Sequence, residues 1–181
     1  MNEMKEQLFL LLCGMLLAAP FADAQQAGPT EYQVKAAFLY NFAKFVEWPS
    51  DSGDLQVCII GDDPFGRNIE FVEGKTAGGK TLSVRRIRSV RDITNCRMLF
   101  ISSSESRLLD DIVAAAQKSD ILTVGDTAGY AQQGVVINLF MEQSKVRFEI
   151  NKDAADRSGL NISSKLLGLA RIVHDAREKG R

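Results

Sequence analysis

The chain has a single histidine, His174, in 181 residues. That scarcity removes whole classes of chemistry. A Ser–His–Asp hydrolase would have to be built on His174, and no G-x-S-x-G elbow is present to hold its serine. A zinc site drawing on His174, Cys58 and Cys96 would still lack a fourth ligand. No apolar run reaches the ~20 residues a membrane-spanning helix needs; Leu8–Ala19 is too short. Neither sign of charge dominates, with 22 basic and 23 acidic residues, so no nucleic-acid partner is indicated. No internal repeat or low-complexity block stands out. These absences point away from an enzyme and from any metal or cofactor.

What is present begins with a leader. Lys5, the apolar Leu8–Ala19 and the small-residue site Ala22-Asp23-Ala24 follow the order of a secretory signal. The expected organisation is a signal peptide over 1–24, cleaved near Ala24, and one exported domain over 25–181. Removing Lys5, Glu3, Glu6 and Asp23 takes 22 basic and 23 acidic residues to 21 and 20, a net charge of about +1. Cys13 leaves with the leader. Cys58 and Cys96 remain, and a lone pair in an exported protein favours a disulfide over a metal site.

The organising stretch is Leu55–Gly66, LQVCIIGDDPFG. Its apolar run reads as a strand buried on both faces, stopped by Gly61. Asp62-Asp63-Pro64 then turns the chain toward a helix. Upstream, Thr30–Gln33 has the capping-box pattern. The helix it opens carries Val34, Phe38, Phe42 and Phe45 on one face, and Trp48-Pro49 closes it. Downstream, Thr81–Ile87, Met98–Ser102 and Ile121–Val124 read as strands, and Leu108–Ala116 as an amphipathic helix. Gly134–Met141 and Lys145–Ile150 alternate around Glu142-Gln143-Ser144 and read as a hairpin. Asn151 caps a short helix through Arg157. Ser163 caps a last helix with little polar face, buried on more than one side, with His174 near its end favouring the helix dipole. Strands alternating with helices, then a hairpin, predict an α/β three-layer sandwich with a parallel centre and a C-terminal antiparallel hairpin.

Two patterns bear on binding. Gly74–Thr81 satisfies G-x-x-x-x-G-K-[ST], but a phosphate loop needs a strand before it and a helix after it. Here a strand pattern follows, so the stretch reads as a surface turn. Ligands of open α/β sheets sit at the carboxyl ends of the strands. Those ends carry Asp62 and Asp63, Ser103 and Glu105, and Asp126, a candidate cleft for a small polar ligand.

KAAFLYNFAKFVEWP at Lys35–Pro49, VCIIGDDPFG at Val57–Gly66 and CRMLFISSSE at Cys96–Glu105 resemble the YfiR family. So do LTVGDTAGYAQQGVVINLF at Leu122–Phe140 and VRFEINKDAADRSGLNISSKLLGLARIV at Val146–Val173. The resemblance covers nearly the whole chain after the leader, in the same order. It implies a periplasmic α/β protein that tends to dimerise. Such proteins restrain a membrane-bound diguanylate cyclase through its periplasmic domain, alongside an OmpA-like outer-membrane lipoprotein. Cys58 and Cys96 match the family's core cysteine pair. No second pair occurs in the C-terminal third, which leaves no basis for switching through a second disulfide.

Two readings follow. One is a regulatory binding protein whose partner or dimer surface involves Tyr40 and Trp48 at the first helix, and Lys165, Leu169 and Val173 at the last. The other is a periplasmic small-ligand sensor or binding protein using the acidic strand ends.

Overall fold

Along each central strand, alternate side chains enter two different cores. Val57 and Ile59 face one core while Cys58 and Ile60 face the other, and Met98/Phe100 and Leu99/Ile101 divide the same way. The period of two along a strand makes this division unavoidable when helices cover both faces. The computed structural model describes residues 29–49 and 53–176. The expected signal peptide and Cys13 lie outside the described residues.

Helix α1 (Glu31–Phe45) begins at the capping box read from the sequence: the Thr30 hydroxyl accepts from the Gln33 amide, and the Gln33 side chain accepts from the Thr30 amide. Its buried line is Lys35, Ala36, Leu39, Phe42 and Ala43. The inward face is therefore rotated from the aromatic stripe. Phe42 is in the core, while Phe38 and Phe45 flank it and Phe38 and Phe42 both pack on Phe148. Small residues at positions 36 and 43 let the helix approach the sheet closely, which displaces the larger rings to its sides.

After the short β1 (Val46–Glu47) come β2 (Leu55–Ile60), a 3-10 turn (Gly66–Phe71), β3 (Thr76–Ala77) and β4 (Lys80–Ile87). β3 and β4 form an antiparallel hairpin turned at Gly78 and Gly79, whose φ values of 57° and 80° suit glycine. Lys80 thus opens a strand, and no helix follows the glycine loop. Then come a 3-10 turn (Val90–Asn95), β5 (Met98–Ile101), a 3-10 turn (Ser103–Leu108), α2 (Leu109–Gln117), β6 (Leu122–Gly125) and a 3-10 turn (Ala131–Gln133). The chain continues as β7 (Ile137–Glu142), β8 (Lys145–Asn151), α3 (Lys152–Arg157), β9 (Asn161–Ile162), α4 (Ser164–Leu167) and β10 (Arg171–Val173).

The main sheet runs β10-β8-β7-β6-β5-β2-β4-β3. β4, β2, β5, β6 and β7 are mutually parallel, and β8 returns antiparallel to β7. α1 lies over one face and α2 over the other, giving the three layers expected. β1 and β9 form a separate antiparallel pair.

The end of the chain differs from the sequence reading. Ser163 does cap a helix, accepting from the Leu166 amide, but α4 stops at Leu167. Arg171–Val173 then pairs in parallel with β8 as the outermost strand, so the hairpin does not form the sheet edge. Leu169 is 76% exposed and Ile172 43% exposed, so this segment is not buried on several sides. Gly168 weakens helix continuation, β-branched Ile172 and Val173 favour strand, and the open edge of β8 supplies backbone partners. His174 consequently lies beyond the helix. Its Nδ1 sits 2.9 Å from Asp153 Oδ2 in the first turn of α3. The hydrogen bond to His174 holds the Asp153 carboxyl below its usual range.

Cys58 on β2 and Cys96 just before β5 are joined in a disulfide, with Cα atoms 5.8 Å apart. Both are buried in the core beneath α2.

Candidate functional site

β2 leads through the 3-10 turn to β4 along the α1 face, whereas β5 leads to α2 on the opposite face. Strands whose connections leave in opposite directions define a crevice at their carboxyl ends. Here it falls between the loops after β2 and β5. Of the sequence-predicted residues, Asp62, Ser103 and Glu105 lie on these two loops, whereas Asp63 and Asp126 are bonded to other elements.

Gly61 has φ +88°, and a Cβ there would run into the Ser104 hydroxyl and come within 2.8 Å of Glu105 Cγ. The Asp62 amide donates to Ser104 Oγ at 3.0 Å, and Ser104 Oγ donates to Glu105 Oε1 at 3.3 Å. Ser102 begins the turn, its hydroxyl accepting from the Ser104 amide. Asp62 and Ser103 are exposed at the rim. Gly61→Ala therefore combines a left-handed backbone with a collision and should cost about 1–3 kcal/mol. Chemical denaturation checks this; an unchanged midpoint would refute the close packing of these loops.

Asp63 is directed elsewhere. Its Oδ1 accepts from the Phe65 amide at 2.7 Å, and its Oδ2 meets Arg86 Nη2 at 2.7 Å. Asp126, after β6, accepts from Lys35 Nζ at 2.7 Å and from the Tyr32 hydroxyl at 3.0 Å. Lys35 also meets Glu31 at 2.5 Å, and its ammonium lies 4.4 Å from the Tyr32 ring centre. Its side chain is 4% exposed. Burial disfavours the ammonium, but hydrogen bonds to Asp126 and Glu31, with the Asp126 charge, outweigh it and hold the Lys35 pKa above the ordinary lysine value. Burial and then the Asp126 charge push the Tyr32 hydroxyl up as well. Tyr32 stacks edge-on against Phe65, which stacks on Phe100, so the charged group is seated on the core. Lys35 carries no signal in the sequence that separates it from a solvated lysine. Its position in the first turns of a capped helix, four residues after Glu31, was the available hint.

The surface residues fall into separate places. The Tyr40 hydroxyl donates to the Thr76 carbonyl, and its ring packs edge-on against Phe71. Trp48 Nε1 donates to the Arg97 carbonyl at the entry to β5. Both are half-buried in contacts within the chain. Lys165 and Leu169 border a shallow apolar depression of about 210 Å³ with Phe38, Phe45, Phe148 and Leu166. Val173 lies on β10.

The fold is an α/β three-layer sandwich, and the loops after β2 and β5 pack on each other at Gly61, Ser104 and Glu105. The chain belongs to the YfiR/HmsC-like family, whose profile matches residues 32–171. Among the described residues no helix is long and apolar enough to cross a membrane. Solved structures similar to it include a conserved domain protein from Vibrio cholerae, with 12% identity and a TM-score of 0.55, over 79% of this chain and 60% of that one. Another is a ligand-free, open substrate binding protein with adhesive properties from Clostridium difficile, with 10% identity and a TM-score of 0.50, over 77% and 58%. This chain thus spans about three-fifths of the length of these structures, and at such identities the likeness is one of fold.

Proposed function

We propose that this protein is exported, loses its leader near Ala24, and restrains a membrane-bound diguanylate cyclase by binding the cyclase's periplasmic domain. Cyclic-di-GMP and biofilm formation fall as a result. The observation that carries the reading is the family match across residues 32–171. The protein acts by binding, without turnover and without a cofactor. Its partners are the cyclase domain, an OmpA-like outer-membrane lipoprotein and a second copy of itself. The apolar surface at Lys165 and Leu169, continued by Ile172 and Val173, is the contact region best supported, because Leu169 and Ile172 are exposed there. Tyr40 and Trp48 would border a contact at the other flank of α1.

Restraint across a membrane needs only a preference for one state of the partner. A difference of about 1.4 kcal/mol shifts that equilibrium tenfold. Deleting the gene should raise cyclic-di-GMP and biofilm, and exported protein should restore the low level, while Leu169→Asp protein should not. Unchanged cyclic-di-GMP on deletion, in cells expressing the cognate cyclase, would refute the reading. The alternative is a periplasmic small-ligand sensor using the loops around Asp62, Asp63, Ser103, Glu105 and Asp126; a ligand that binds there, with no effect of deletion on cyclic-di-GMP, would favour it.

A further inference from the structure

The outer edge of β4 is only partly covered. β2 pairs with residues 82–87 on one side, but on the other β3 meets only Lys80 and Thr81. Beyond β3, the Leu82 amide donates to the Lys75 carbonyl and the Leu82 carbonyl accepts from the Gly74 amide. Backbone groups of a strand alternate sides with a period of two, so Leu82, Val84 and Arg86 direct theirs away from β2. The Val84 amide donates to Glu73 Oε2 at 2.7 Å, a carboxylate where a neighbouring strand would present a carbonyl. The Arg86 amide has no hydrogen-bond partner among the described residues. Charge at this edge is one-sided. Residues 85–92 include four arginines and one aspartate. Asp63 offsets Arg86, whereas Arg85, Arg88 and Arg91 form no ion pair among the described residues. Arg86, Arg88 and Arg91 are exposed.

We infer that the edge of β4 over residues 84–88 receives an extended acidic segment of a partner protein as an added strand. The main chain of that segment bonds the Val84 carbonyl and the amide and carbonyl of Arg86. Its successive side chains fall on opposite faces of the sheet, and Arg85 and Arg86 project on those two faces. Carboxylates placed opposite arginines favour the pairing, and like charges placed opposite one another oppose it. Charge commonly protects an open edge from self-pairing. Here it bars a second copy of the same edge and admits a strand of opposite sign. Glu73 makes one such contact within the chain. The surface is separate from the Leu169 region, and the inference does not depend on the cyclase reading.

An NMR titration of the purified protein with a blocked peptide of about ten residues alternating glutamate and valine tests this. A peptide alternating lysine and valine is the control. The acidic peptide should bind at millimolar concentration or below, slow hydrogen exchange of the Arg86 amide, and weaken by about tenfold as salt is raised. The lysine peptide should not bind. Arg86→Pro removes the outward amide, a change that open edges tolerate, and should abolish binding. Arg86→Ala keeps the amide and should only weaken it. Arg85→Glu combined with Arg88→Glu should abolish binding without unfolding the domain. Failure of the acidic peptide to bind overturns the inference and leaves the arginines as protection of the edge. So does binding that leaves the Arg86 amide exchanging freely, or that survives in a folded Arg86→Pro variant. The exchange measurement on the wild-type protein decides even where the proline variant does not fold.

Discussion

Asp126→Ala should lower the unfolding free energy by about 3–5 kcal/mol, the usual cost of leaving one member of a buried ion pair behind. Lys35 would keep Glu31, but the Glu31 side chain is 41% exposed and makes a poorer counter-charge. In a domain of this size the melting temperature should fall by roughly 2–4 °C per kcal/mol. Lys35→Met combined with Asp126→Leu should recover most of the loss, because an apolar replacement removes the desolvation cost of both charges. The pH dependence follows from the direction of the shifts. Lys35 and Tyr32 both have folded pKa values above their ordinary ones. Their contribution is therefore complete below the unfolded values, about 10 for Tyr and 10.4 for Lys, and is lost as pH rises through the folded values. Denaturation midpoints should fall above about pH 10, and less steeply in the double variant. A wild-type protein as stable at pH 11 as at pH 8 would contradict this account of the cluster.

Replacing Cys58 and Cys96 by Ala should cost about 4 kcal/mol, from a closed loop with a sequence separation of 38. The effect acts through the unfolded chain, whose freedom the crosslink restricts, so it should appear mainly as a lower denaturation midpoint. Cys58 is fully buried and Cys96 nearly so. Thiol reagents should therefore find no free thiol in the unreduced native protein, and mild reductant should release none until the domain unfolds. Two titratable thiols in unreduced protein, or a double alanine variant as stable as wild type, would each disprove the crosslink or its role.

Burial of strands on both faces was legible in the sequence, because LQVCII has only Gln56 polar, MLFI is apolar throughout, and the runs end at Gly61 and Ser102. The caps at Thr30, Asn151 and Ser163 were legible for a local reason: a hydroxyl or amide three residues from an unpaired backbone amide closes its bond without help from the rest of the chain. The pairing of Cys58 with Cys96 was legible once the expected leader, with Cys13, was set aside and two cysteines were left. Other features were decided only by the tertiary structure. Leu166–Val173 is apolar enough for either a helix or a strand, and the open edge of β8 selected strand for Arg171–Val173. Likewise, Asp126 at a strand end looks like a ligand group until α1 crosses the sheet and brings Lys35 and Tyr32 to it from 91 and 94 residues away. Local hydrogen bonds and periodic burial are written in neighbouring residues. The destination of a charged side chain, or of an ambiguous apolar run, is set by which distant backbone edge or counter-charge the packed layers place beside it.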